Sequence, residues 1–560
     1  MPRSFTKVFI LILIALVGFA ACGDADRVPS DFKARLDSVL DTKSKQPTPD
    51  EVRDALVRQL RVATSDAAVF PSRDTIAGFY AKHGNRLVWS DEGGRTHAGT
   101  AVLLDALRRA GEEGLDPADY ETERLFALEK DVRERPKDER AATRLADFDL
   151  LATTAFFRYA SDLSTGRVHP NEVQQDWHTN PPEVDVASAL DEALGKTDLP
   201  GLLASLPPPH PGYARLREAL GSLREIDAAG GWPLVPPGPK LGPRSTGPRV
   251  EALRQRLAQP PGNAFDADLT AAVKRYQSLV GLEPKGVVDD ETLAALNVSV
   301  VDRIRQVELN LERWRWIPRQ LGNPYVLVNI PAFELELGRE GSAPWRTRIV
   351  AGKAYTPTPI LSDRIVAFVV NPPWNVPESI AVNEYLPELK KNPHALARQG
   401  LKLLEGSGDK AREIDPGRIN WAKVDPEKFP YRLRQDPGDK NPLGRIKFDL
   451  TNDFHVYLHD TPAGGVFDRT DRDVSHGCIR VKDALVLADL LASDPVKDKV
   501  HEALEQHEEE RRIDLAPDVP VHILYFTAWV DDAGGLHFGP DVYGFDAPQW
   551  ATVEKAAGRP

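Results

Sequence analysis

Phe454-His455-Val456-Tyr457-Leu458-His459-Asp460 and Ser475-His476-Gly477-Cys478-Ile479-Arg480 decide how this chain is read; fifteen residues, Asp460 to Val474, separate His459 from Ser475. The first segment alternates as a strand does, which predicts His455, Tyr457 and His459 on one face and Val456 and Leu458 on the other. Two imidazoles and a phenol on one face are not a core pattern. The intervening loop, with Gly464 and Gly465, is long enough to return Ser475–Arg480 beside that strand. A free thiol is only partly ionised at neutral pH, so a cysteine nucleophile needs an imidazole neighbour. Cys478 is the candidate nucleophile and His459 the candidate base. Gly477 permits close backbone approach, and the amides around Gly477 and Cys478 are candidate donors to an oxyanion.

Outward from this stretch the period is that of strands. Phe333, Leu335 and Leu337 face one way and Trp345, Thr347 and Ile349 run back as a hairpin, while Arg364 to Val370 and Val519 to Val530 read as further strands. A segment rich in Pro, Lys, Arg and Asp, residues 376–443, interrupts the pattern as an inserted lid. Upstream the period is helical. Residues 71–243 read as an all-α scaffold, 244–297 as a compact three-helix unit, and 298–324 as a connector helix with Ile304, Val307, Leu311 and Trp314 on one side. The fold class is therefore multidomain. A mainly α N-terminal part and a three-helix module precede a mainly β, sandwich-like catalytic domain over 325–505, and 506–560 supply C-terminal strands and a tail.

The N-terminus has Arg3 and Lys7 before an apolar run from Val8 to Ala20, too short to span a bilayer, which reads as an export signal over 1–21. Phe19-Ala20-Ala21-Cys22 resembles a lipoprotein cleavage box, with Phe19 where that family usually has Leu. The resemblance implies lipidation at Cys22, and Gly23 favours the outer membrane facing the periplasm. Residues 22–70, polar with scattered Pro, read as a tether. The chain has two cysteines, so lipidation of Cys22 leaves Cys478 without an intramolecular partner, and a reactive role explains an unpaired thiol in an exported protein. With 71 basic against 84 acidic residues the net charge is −13, which argues against nucleic acid as a partner.

Phe265-Asp266, Lys274-Arg275-Tyr276-Gln277, Gly281-Leu282 and Gly286-Val287-Val288-Asp289 in the three-helix unit resemble the small peptidoglycan-binding module. His459, its gap, and Ser475-His476-Gly477-Cys478-Ile479-Arg480 resemble the active-site signature of the L,D-transpeptidases with a YkuD-type catalytic domain. The scaffold and module upstream resemble that family's large branch. Asp483 departs from the Asn of many relatives.

The resemblance implies that Cys478 attacks the bond between residues three and four of a stem tetrapeptide, releasing D-alanine and leaving a thioester that a diamino-acid amine of a second stem resolves into a 3–3 cross-link. It implies that His459 moves the proton, that the Ser475 region orients it, and that Tyr457, His476, Gly477 and Arg480 contact substrate, Arg480 holding a carboxylate. It implies acylation of Cys478 by carbapenems, no cofactor, wall-synthesis proteins as partners, and membrane contact only through the N-terminal lipid. Trimming or cutting of stems by water, or an inactive wall-binding lipoprotein, are the competing readings. Zinc is disfavoured because His455 and His459 lie about 13 Å apart along a strand.

Overall fold

The computed structural model describes residues 46–62, 73–175, 177–179, 181–406, 411–506 and 509–557. Residues 1–21 and Cys22 lie outside the described residues. The described residues form two compact units: one takes those up to Arg108 with Tyr120–Tyr159 and Val186–Leu202, the other Arg109–Asp119, Ala160–Asp185 and those from Leu203 on.

The first unit is helical. Its buried Phe79 and Phe157, on different helices, pack edge to face, as do Phe157 and Phe156. Asp149 is fully buried and accepts from the Tyr80 hydroxyl at 2.7 Å, the Val88 amide at 3.0 Å and the Trp89 amide at 2.9 Å. Burial lifts this carboxyl to about 6 against the pull of those donors. The tether expectation fails here, because Pro49–Val62 is a helix. Thr48 and Glu51 cap it reciprocally, the Thr48 amide donating to Glu51 Oε2 at 2.7 Å and the Glu51 amide to Thr48 Oγ1 at 3.3 Å. Val52, Ala55 and Leu56 bury one stripe among charged neighbours that mask it in the composition.

The second unit holds the three-helix module, with helices Pro248–Arg256, Ala267–Leu279 and Asp290–Leu296 around Val250, Leu253, Leu269, Val273 and Leu296. Asp266 and Asp289 cap the second and third helices by accepting from the Leu269 and Thr292 amides at 2.9 and 3.0 Å. Helix Val300–Arg315 is more than a connector. Its C-terminal half is buried all round, and its buried cations are charge-paired: Arg315 with Glu312 at 2.8 Å and Arg313 with Asp546 at 2.7 Å.

The strands of this unit are β1 (Trp177–His178), β2 (Tyr325–Asn329), β3 (Glu334–Gly338), β4 (Trp345–Gly352), β5 (Ile360–Val370), β6 (Trp374–Asn375), β7 (Leu401–Glu405), β8 (Arg412–Glu413), β9 (Tyr431–Gln435), β10 (Ile446–Leu450), β11 (Leu458–His459), β12 (Asp473–Ser475), β13 (Ile479–Val481) and β14 (Arg511–Leu524), followed by a small hairpin, Ala528–Val530 with Leu536–Phe538. The main sheet runs β5-β10-β11-β13-β4-β3-β2-β14, and β14 also pairs with β5, so the faces of the sandwich-like domain belong to one sheet closed on itself. β14 lies beyond residue 505 and is nonetheless integral to the catalytic sheet. The described residues of the insertion expected over 376–443 are folded: β7, β8 and β9 lie in it and join β6, just before it, in a second sheet β6-β9-β7-β8, with a core that includes Leu389, Leu403, Trp421 and Leu433.

Candidate active site

The strand expected over Phe454–Asp460 shrinks to Leu458–His459. Asn452 is the cause: its Oδ1 accepts from the Phe454 and Val456 amides at 3.1 and 3.2 Å, and its Nδ2 donates to the Val456 carbonyl at 2.9 Å. A short polar side chain thus folds the backbone into a turn in place of a ladder. His455 sits at φ 57, so it does not share a face with Tyr457 and His459. Its carbonyl lies 3.8 Å from Cys478 Sγ and accepts from the thiol.

β11 and β13 run parallel with Leu458 opposite Ile479 and His459 opposite Arg480, and the Ile479 amide donates to the Tyr457 carbonyl at 3.1 Å. Paired residues in a sheet project to the same face, so this register brings Tyr457 beside Cys478 and His459 beside Arg480. The rings of Tyr457 and His459 are 5.7 Å apart, and Tyr457 is the first of the groups that pull the Cys478 thiol down against its burial. β10 adds Lys447, which lies opposite His459 and holds its ammonium 5.0 Å from the Tyr457 ring. The sequence pattern did not single out Lys447; the alternation of Ile446, Lys447 and Phe448 was its signal.

His459 is buried, and its Nδ1 meets the Asp460 carbonyl at 2.5 Å. A carbonyl only accepts, so Nδ1 carries the hydrogen and Nε2 keeps its lone pair. Burial pushes the imidazole down to about 3, and the charges of Arg480 and Lys447 act the same way while the Asp460 carbonyl opposes them. Burial pushes the Cys478 thiol up, against Tyr457, Lys447 and Arg480. The centre therefore rests as a thiol and a neutral imidazole on one face of the sheet, with no hydrogen-bond partner for Nε2 among the described residues. Arg480 is part-buried, its Nε is buried without a partner, and among the described residues no carboxylate pairs with it.

Ser475 does not orient His459. It is buried, donates from Oγ to the Cys478 carbonyl at 2.6 Å and accepts the Gly477 amide at 3.2 Å. That corrects the Gly477 expectation too: its N–H is occupied within the turn, and the Cys478 amide has no acceptor among the described residues. Gly477 is needed for its φ of 113, since a Cβ there would meet nothing closer than 3.7 Å. His476 points to the insertion, its Nε2 2.6 Å from Glu384 Oε1. Asp483 accepts from the Thr347 hydroxyl at 2.8 Å.

These residues fall inside 323–501, which match the model of the "L,D-transpeptidase catalytic domain". Residues 74–220 match "Scaffold domain" and 246–296 match "Putative peptidoglycan binding domain". The three matches place a scaffold domain and a putative peptidoglycan-binding domain ahead of an L,D-transpeptidase catalytic domain. Residues 323–501 thus carry an L,D-transpeptidase catalytic domain, and a curated relative of the chain bears the same family name. That relative, "Putative L,D-transpeptidase" of Haemophilus influenzae, is 32% identical over 258 residues, which cover 45% of this chain and 51% of the relative, so the match spans about half the relative's length. An L,D-transpeptidase structure from Mycobacterium smegmatis aligns at 13% identity and a TM-score of 0.17, covering 36% of this chain and 58% of that one. One from Xylanimonas cellulosilytica aligns at 16% and 0.17, covering 51% and 99%. Likeness at those scores carries no weight for the mechanism.

Proposed function

We propose that the chain is a peptidoglycan L,D-transpeptidase that forms 3–3 cross-links through a thioester on Cys478. The observation that carries this reading is the β11–β13 register, which sets the thiol and a neutral imidazole on one face beside a guanidinium with no carboxylate. His459 Nε2 takes the thiol proton as Sγ attacks the carbonyl of the third stem residue, and the carbonyl oxygen becomes anionic. Collapse breaks the C–N bond, and His459 returns the proton to the departing amine of D-alanine. The side-chain amine of a second stem then attacks the thioester, gives its proton to His459, and releases the thiol. Arg480 holds a stem carboxylate by a charge-assisted bond, a role supported by its buried Nε without a partner. The Cys478 amide is the free donor for the oxyanion.

The reading includes export through residues 1–21, lipidation of Cys22, a periplasmic location at the outer membrane, and wall binding by residues 246–296. Supporting it are the short apolar run, the cleavage-box resemblance and the module match.

Incubation of wild type and Cys478→Ala with disaccharide-tetrapeptide, followed by mass spectrometry, tests the function. A cross-linked dimer with loss of D-alanine from wild type alone is expected. Tripeptide without dimer marks a hydrolase, and no product from wild type overturns both.

A further inference from the structure

The segment after the catalytic-domain match reaches back to the nucleophile turn. Tyr543, more than forty residues beyond position 501, donates from its hydroxyl to the Gly352 carbonyl at 3.0 Å and accepts from the Thr358 amide at 3.1 Å. Thr358 is fully buried; its Oγ1 accepts from the Gly352 amide at 2.9 Å and donates to the Gly477 carbonyl at 2.7 Å. The three segments meet at contact distance, since a Cβ on Gly352 would fall 2.3 Å from the Thr356 carbonyl oxygen and 3.0 Å from Gly477 Cα. Tyr543 is itself held. Its ring stacks on Tyr525 at 5.4 Å, its amide donates to the Tyr525 hydroxyl at 2.8 Å, and that hydroxyl donates to Asp541 at 2.6 Å.

The Gly477 carbonyl and the Cys478 N–H belong to one planar peptide and point in opposite directions across it. Fixing the carbonyl therefore aims the amide. On the far side of Cys478 its own carbonyl is fixed by Ser475 Oγ at 2.6 Å. A peptide clamped at both carbonyls, with its N–H free, is a pre-set donor.

We propose that Thr358 and Tyr543 are positioning residues for acyl transfer: they aim the Cys478 amide at the oxyanion through the Gly477 carbonyl, which makes the C-terminal segment part of the catalytic apparatus. The inference rests on Cys478 being the nucleophile of the proposed function.

Two reactions at one thiol test it in the full chain. Carbapenem acylation passes through an oxyanion, whereas alkylation by iodoacetamide does not. Thr358→Val is expected to slow acylation and donor-peptide kcat by roughly 10²-fold with KM unchanged, and to leave alkylation at the wild-type rate. Thr358→Ser restores acylation. Tyr543→Phe, which keeps the ring stack, gives a smaller loss in the same direction and guards against a misfolded Thr358→Val. Equal losses in both reactions, or no loss in either, overturn the proposal. A wild-type thiol that alkylates but accepts no acyl group overturns the proposed function instead.

Discussion

The peptidoglycan-binding module and the face around Cys478 handle buried polar groups in opposite ways. In the module Gln277 is fully engaged: its Nε2 donates to the Val287 carbonyl and Thr292 hydroxyl at 2.9 and 3.0 Å, and its Oε1 accepts the Gly286 amide at 2.8 Å. Around Cys478, Arg480 Nε and the Cys478 amide are left without acceptors among the described residues, and a buried imidazole is kept neutral beside two cations. Closed networks hold a fold, whereas open ones cost stability until a substrate fills them. The module is closed by its own bonds, whereas the face around Cys478 leaves a guanidinium nitrogen and an amide open, which the proposed function assigns to a stem carboxylate and an oxyanion.

Removing the base should break the comparison most severely. His459→Gln is expected to lower kcat for cross-linking by roughly 10²- to 10⁴-fold, measured by product quantification, with sacculus binding intact. Arg480→Gln should lower kcat/KM for the donor stem by about 10- to 100-fold, the span of a charge-assisted bond, and the loss should shrink for a donor amidated at its free carboxylates.

The pH dependence sharpens the same contrast. The folded pKa of His459 is depressed to about 3, so between that value and its unfolded pKa, about 6.5, the unfolded chain binds more protons. Stability contributed by this histidine is present above pH 6.5 and falls as pH drops through the window. His210, pushed down by burial to about 4, adds to the same slope. Thermal melts across that range should show a shallower acid dependence for His459→Gln than for wild type. Equal slopes would contradict the buried, neutral imidazole.

The smallest effect belongs to the module. Asp289→Ala removes the acceptor for the Thr292 amide and hydroxyl and should cost about 1 kcal/mol of stability with kcat unchanged. Calorimetry together with the cross-linking assay reads both.

The module was legible because its specification is local. The Val250–Leu253 and Leu269–Val273 spacings and the cap residues Asp266 and Asp289 each act within a few positions. In the catalytic domain the sequence drew attention to Cys478 and His459 because a thiol and an imidazole announce their chemistry, and the β11–β13 register puts them on one face. What orients them could not be read. The partner of His459 is the Asp460 backbone carbonyl, which has no residue signature; Thr358 reaches Gly477 from 119 positions away, and Tyr543 braces Thr358 from 185 positions away. Asn452 undid the strand expected through His455 because a local side-chain bond outcompeted alternation. The helix Pro49–Val62 was hidden by the charge of its exposed face.

Intact-mass analysis of the acid-quenched enzyme after brief incubation with disaccharide-tetrapeptide tests the central claim most directly. The account predicts an adduct equal to the donor minus D-alanine, located on the peptide that contains Cys478 and absent from Cys478→Ala. Cross-linked product from Cys478→Ala, or an adduct on another residue, would contradict it.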